Sequence, residues 1–188
     1  EREVEEAEAA FLCLPPPSFR QRHAGVPLRY GVIGSPFGAL LLALAPDGVC
    51  RAEFLDEGEA PQDKLGTWQA RWPWALWAPL AAAECAALEE RFLARNLPVA
   101  VEGTPFRGLL WRTLRTCTAA GQTCSYGELA ARLGPPRLAL AVGQALAANP
   151  VAWLIPCHRV LDAGGGLRGF RWGLERKRAM LEWEGKSV

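Results

Sequence analysis

At 188 residues the chain has room for one or two small domains. Half of it is hydrophobic and 22% is charged, an ordinary balance for a soluble protein, and no apolar run is long enough to cross a bilayer as a helix. The net charge of +1 conceals a split: residues 1–103 hold 9 Lys+Arg against 15 Asp+Glu, and residues 104–188 hold 12 against 5. A basic half is what a phosphate-contacting domain needs.

The acidic opening Glu1-Arg2-Glu3-Val4-Glu5-Glu6 lacks the basic start of a secretory signal. The six cysteines (13, 50, 85, 117, 124 and 157) include no CxxC pair. A disulfide framework is therefore not expected, and a reducing, cytoplasmic setting fits. His23 is the only histidine upstream of residue 158, and the cysteines are scattered. Tetrahedral metal sites want clustered ligands, so no metal and no cofactor are expected.

In chain order, Glu3 to Phe11 reads as the end of a helix that Pro15-Pro16-Pro17 stops. Leu28 to Ile33, Ala39 to Ala45 and Val49 to Leu55 read as strands, with Ala45-Pro46-Asp47-Gly48 as the turn between the last two. Asp56 to Gly66 reads as polar loop, and Trp68, Trp72, Trp74 and Trp77 as core and linker packing. Pro79 to Leu97 reads as a helix, Val99 to Val101 as a short strand, and Gly103-Thr104-Pro105 as a domain junction.

The second half is mostly helical. A helix starts at Thr104 or Pro105 and runs to about Thr116. Ser125 followed by Glu128 is a capping box, so another starts after Ser125 and ends at Gly134. After Pro135-Pro136 a third runs from about Arg137 to Ala148, stopped by Asn149-Pro150. Two short helices joined by a tight turn fit a helix-turn-helix. Ala139, Ala141 and Gly143 give the later helix a small-residue face that can approach a partner closely.

The chemistry centres on Ile155-Pro156-Cys157-His158-Arg159-Val160. A thiol is a nucleophile only as thiolate, and an adjacent histidine and arginine are the usual means of lowering its pKa from about 8.5. This hexapeptide resembles the active-site motif of the O6-alkylguanine-DNA alkyltransferases letter for letter. Thr104-Pro105-Phe106, Trp111, Ser125 to Ala130, Ala141-Val142-Gly143 and Asn149-Pro150 resemble the family's preceding landmarks, and Gly169 to Lys177 its closing segment. Ser35-Pro36-Phe37-Gly38 resembles a turn of its N-terminal domain.

The resemblance implies an α/β protein. Residues 28–103 form a small ribonuclease-H-like sheet domain, and residues 104–188 a helical, winged-helix-like domain for catalysis and DNA binding. Residues 1–27 stand as an extension. Within it, Ser18 to His23 resembles the last segment of an AraC-type module, as precedes the alkyltransferase half of Ada-type proteins, so the chain reads as a fragment of a longer one. The implied activity is stoichiometric: one alkyl group moves from O6-alkylguanine in double-stranded DNA to Cys157. The expected protein is a monomer that engages no membrane.

The resemblance also distributes roles. His158 acts as general base through a water, held by Glu184, with Glu182 as the competitor for that place. Asn149 braces the active-site turn, and Tyr126 protonates the departing guanine. Backbone near Val160 and Arg171 reads the guanine edge, Phe170 covers its face in place of the commoner tyrosine, and Arg159 joins the substrate-contacting set. The family's arginine finger, which fills the gap left by the extruded base, falls at Leu140; Arg137 lies nearly one turn earlier. Leucine can wedge into a base stack but donates no hydrogen bond to the orphaned cytosine. The rival reading is a sensor that binds alkylated DNA with weak or no transfer.

Overall fold

The computed structural model describes residues 11–188, in two compact units. The first comprises residues 11–105 and the short stretch 150–154; the second comprises 106–149 and 155–188.

The first unit is a six-stranded mixed sheet with three helices. In chain order the elements are β1 (Phe11–Leu14), α1 (Pro16–His23), β2 (Pro27–Ile33), β3 (Leu40–Ala45), β4 (Gly48–Phe54), α2 (Pro61–Arg71), β5 (Leu76–Pro79), α3 (Ala82–Leu93) and β6 (Val99–Glu102). The spatial order is β1-β6-β4-β3-β2-β5. The β2–β3–β4 meander is antiparallel, whereas β1 runs parallel to β6 and β5 parallel to β2. Every residue of β3 but one is buried, so its continuous apolar run is that of a central strand covered on both faces. Gly48 closes the turn with φ +147°, and any Cβ there strikes the Pro98 backbone.

Residues 11–27 are not an appendage. Phe11–Leu14 pairs with Val99–Glu102 as an edge strand, and Pro16 and Pro17 start α1 rather than stopping a helix, since proline suits the first helical turn. Phe19 is buried in the core, and His23 bridges the Phe19 carbonyl at 2.9 Å and Asp47 Oδ2 at 3.0 Å. A segment this integrated with the sheet belongs to the first unit. The helix expected over Glu3 to Phe11 lies outside the described residues except for Phe11, which is in a strand.

Asp56 to Gly66 also differs from expectation, because Pro61 opens α2 and Leu65 and Trp68 bury one face of it. The four tryptophans do pack as core and linker: Trp72 stacks on Trp77 with ring centroids 6.2 Å apart, and the Arg51 guanidinium lies 5.7 Å from Trp68 and 5.4 Å from Trp72. Pro150 and Ala152 dock on Ala52 of β4 through backbone hydrogen bonds of 3.0 and 2.8 Å.

The second unit holds α4 (Pro105–Cys117, whose first residue closes the first unit), β7 (Cys124–Ser125), α5 (Tyr126–Leu133), a 3-10 turn (Pro136–Leu138), α6 (Ala139–Ala147), a 3-10 turn (Cys157–Arg159), β8 (Val160–Leu161) and α7 (Leu174–Trp183). β7 and β8 form a two-stranded parallel ladder. Leu110, Trp111 and Leu114 are the buried face of α4, and Trp111 Nε1 donates to the Ala145 carbonyl at 3.0 Å, tying α4 to α6. Among the described residues no helix is long and apolar enough to cross a membrane.

Candidate active site

The site is assembled in the second unit. Ser125 caps α5 as its spacing predicts: Ser125 Oγ accepts from Glu128 N at 3.1 Å and Ser125 N donates to Glu128 Oε2 at 2.7 Å. The cap fixes where α5 begins and so where Tyr126 projects. The phenol donates to the Arg168 carbonyl at 2.9 Å. A cavity of about 320 Å³ is lined by Tyr126 and Cys157, by Gly143, Leu146 and Ala147 of α6, and by Gly169, Phe170 and Arg171. The glycine and alanine of α6 leave this space open, as small residues must.

Cys157 sits at the start of its 3-10 turn, 7% exposed at the cavity wall. Asn149, fully buried, donates through Nδ2 to the Ile155 carbonyl at 3.0 Å and to Cys157 Sγ at 3.1 Å. Its own carbonyl accepts from Arg171 Nη1 at 2.7 Å. One asparagine thus holds both the turn and the sulfur.

Burial pushes Cys157 up to about 12, opposed by the Asn149 hydrogen bond and by the charges of Lys177 and Arg171. The groups that oppose burial are Asn149, Lys177 and Arg171, rather than the neighbouring His158 and Arg159 from which the sequence leads one to expect activation. A buried lysine faces the same problem. Lys177 is fully buried and donates to the carbonyls of Val160 at 2.6 Å, Arg168 at 3.0 Å and Gly169 at 3.3 Å. Burial pulls it down to about 8, and the Cys157 charge works against that shift. Burial also raises the Tyr126 phenol, with Cys157 adding to the shift.

His158 and Arg159, the two residues after Cys157, meet one carboxylate. His158 Nε2 is 3.2 Å from Glu184 Oε2, and the same carboxylate takes Arg159 Nη2 at 2.8 Å and Nε at 3.1 Å. Arg159 Nη1 also donates to the Thr118 carbonyl. Burial pushes the Glu184 carboxyl up, but His158 and Arg159 together bring it below its usual value. Gly121, at φ +78°, lets the loop before β7 pass under Glu184, since a Cβ there would lie 2.9 Å from the Glu184 carbonyl.

Residues 105–186 match the family model of the 6-O-methylguanine DNA methyltransferase DNA-binding domain. The chain is 35% identical over 162 residues to a methylated-DNA–protein-cysteine methyltransferase of Haemophilus influenzae, covering 84% of this chain and 86% of that one. The chain belongs to this family. It is also 34% identical over 175 residues to the bifunctional transcriptional activator/DNA repair enzyme Ada of Escherichia coli, with 88% of this chain and 48% of Ada covered. The chain therefore spans about half the length of Ada. Its backbone follows Mycobacterium tuberculosis OGT, solved in complex with DNA, at a TM-score of 0.64 and 32% identity over 83% of this chain and 92% of that one.

Set against the methyltransferase motifs, the structure brings Cys157, His158, Glu184, Asn149 and Tyr126 into one unit with the contacts described above. Phe170 and Arg171 line the cavity, as does Gly143. Val160 is buried in β8 and offers its carbonyl to Lys177. Arg137 and Ala139 are exposed and Ala141 is half-buried, while Leu140 is 75% exposed at the start of α6. Arg159 is the exception among the substrate-contacting set: it is buried, and its guanidinium is spent on Glu184 and Thr118. Sequence reasoning gave Lys177 no role. The signal was present, since it is the only lysine between residues 65 and 185 and closes the motif that begins at Gly169. Its burial is invisible in a segment so rich in charge.

Proposed function

We propose that this chain is a single-turnover alkyltransferase that clears O6-alkylguanine from double-stranded DNA by moving the alkyl group to Cys157. The observation that carries this reading is the buried Cys157 thiol, held by Asn149 at 3.1 Å on the wall of a cavity that Tyr126 also lines. The extruded base enters the cavity. His158, oriented by Glu184, takes the Cys157 proton through a water, and the Lys177 ammonium favours the thiolate. Sulfur attacks the alkyl carbon in line, the carbon–oxygen bond breaks, and Tyr126 gives its proton to the departing guanine; His158 releases the proton it took to solvent, from which the tyrosinate is reprotonated. The product is a thioether with no group placed to hydrolyse it, so the chain stops after one event.

The backbone of the second unit carries the winged-helix-like reading, with α5 and α6 as the helix-turn-helix. The mixed sheet of the first supports the ribonuclease-H-like one. We read the protein as a cytoplasmic monomer whose partner is alkylated duplex DNA. Exposed Leu140 serves as the wedge that replaces the base, with Arg137 three residues earlier. That same leucine favours a second reading, a sensor that binds the lesion and transfers slowly. The test is an O6-methylguanine oligonucleotide placed in a restriction site. Restored cleavage after incubation, lost in Cys157→Ser, supports transfer; tight binding without restored cleavage supports the sensor.

A further inference from the structure

The molecule has a second pair of sulfurs that the transfer reaction does not use. Cys117 ends α4 and Cys124 opens β7, so the helix and the strand bring together two residues seven apart. Both thiols are half-buried and line one cavity of about 370 Å³, beside Glu128 and Arg132. Cys117 Sγ donates to the Leu114 carbonyl at 3.9 Å, and Cys117 is among the groups that raise the Cys124 thiol. Cys13, Cys50 and Cys85 line neither this cavity nor that of Cys157.

We propose that Cys117 and Cys124 are an oxidative modification site, a dithiol that closes to an intramolecular disulfide while Cys157 remains a thiol. We take Cys117 as the attacking thiol and Cys124, which burial, Cys117 and Glu128 push up to about 12, as the resolving one. With oxidised glutathione as oxidant, Cys117 sulfur attacks the glutathione disulfide and one glutathione thiolate leaves. Cys124 sulfur then displaces the second glutathione from Cys117. The two protons of the pair pass to the two departing thiolates, and two electrons pass from the pair to the glutathione disulfide. Cys157 escapes because it is nearly sealed from solvent. The loop so closed carries Thr118, whose carbonyl accepts from Arg159, and Gly121, which passes under Glu184. The modification therefore falls beside Glu184 without consuming the acceptor.

The test uses the chain as it stands. It is incubated with oxidised glutathione, blocked with iodoacetamide and digested with trypsin. Both cysteines fall in one peptide, Thr116–Arg132, and Cys157 in another, Leu138–Arg159. The expected result is a Thr116–Arg132 peptide two hydrogens lighter than its dithiol form. It should resist iodoacetamide until dithiothreitol is added, while the Leu138–Arg159 peptide stays reduced. Glutathione retained on Cys117 with Cys124 blocked, or oxidation that reaches Cys157 first, overturns the proposal. In Cys124→Ser the glutathione should stay on Cys117. Phenylarsine oxide, which bridges two close thiols, gives a reading that needs no variant: one adduct on Thr116–Arg132 of the native chain is expected, and none overturns the pairing.

Discussion

Glu184 receives both Arg159, through Nη2 at 2.8 Å and Nε at 3.1 Å, and His158 Nε2 at 3.2 Å, on the two oxygens of one buried carboxylate. Glu182, two residues earlier, is exposed. The geometry thus separates two glutamates that the sequence left as competitors for His158.

Breaking this pairing should cost stability as well as rate. Glu184→Gln leaves a buried guanidinium without its counter-charge, and unfolding by urea should show a loss of roughly 3–5 kcal/mol. Glu182→Gln should stay within about 0.5 kcal/mol of the parent. The Glu184 carboxyl is held below its usual value, so its contribution is complete above about pH 4.5 and is lost as pH falls through the lower folded value. The acid limb of the stability curve should therefore flatten in Glu184→Gln.

The thiol and the buried lysine predict a pH signature. Cys157 is raised and the Lys177 charge pulls it back. Lys177→Met removes that pull, so the rate of O6-benzylguanine uptake should fall at neutral pH and its rise should move to higher pH. Each unit of displacement corresponds to about tenfold less thiolate at fixed pH. His158→Ala should slow transfer too, with the rate recovering as pH rises and DNA affinity almost unchanged. A Lys177→Met variant with an unmoved profile would remove the lysine from the mechanism.

Leu140 can be tested by comparing two substrates. Leu140→Arg supplies hydrogen bonds to an abandoned cytosine, so it should accelerate repair of duplex, where extrusion costs roughly a few kcal/mol. It should do little with free O6-benzylguanine, which needs no extrusion. Equal acceleration on both would place residue 140 in the pocket instead. No gain on duplex would mean that leucine suffices or that Arg137 compensates, and Arg137→Ala in the parent separates those two.

Binding should follow the charge split. The affinity of the chain for duplex should fall as salt rises, because phosphate contacts release counterions. Charge reversal at exposed Arg137 should reduce the slope, and charge reversal at exposed Arg71 of the first unit should not. Salt-independent binding would contradict a basic interface in residues 104–188.

Some of this was legible in the sequence and some was not, for physical reasons. The Ser125–Glu128 box and the alternating or continuous apolar runs of β2, β3 and β4 are local signals, and each element forms within a residue or two of its expected place. Non-local pairing was hidden: Phe11–Leu14 becomes a strand only because Val99–Glu102 is there to receive it. The same holds for α2, whose charged surface hides the apolar face of Leu65 and Trp68. At the site, the motif holds Cys157, His158 and Asn149, and the Asn149–Cys157 contact forms, but nothing in the motif signals how deeply the thiol is buried. Burial is a tertiary quantity, and it also turned Arg159 inward to Glu184 and Lys177 inward to three carbonyls.

The central claim, that Cys157 accepts one alkyl group and keeps it, is tested most directly by intact mass after incubation with excess O6-methylguanine duplex, followed by peptide mapping. The account predicts a gain of a single methyl, carried on the Leu138–Arg159 peptide at Cys157, with no further uptake on prolonged incubation. Repeated turnover that leaves the protein mass unchanged, or a methyl on Cys117 or Cys124 of the Thr116–Arg132 peptide, would contradict it.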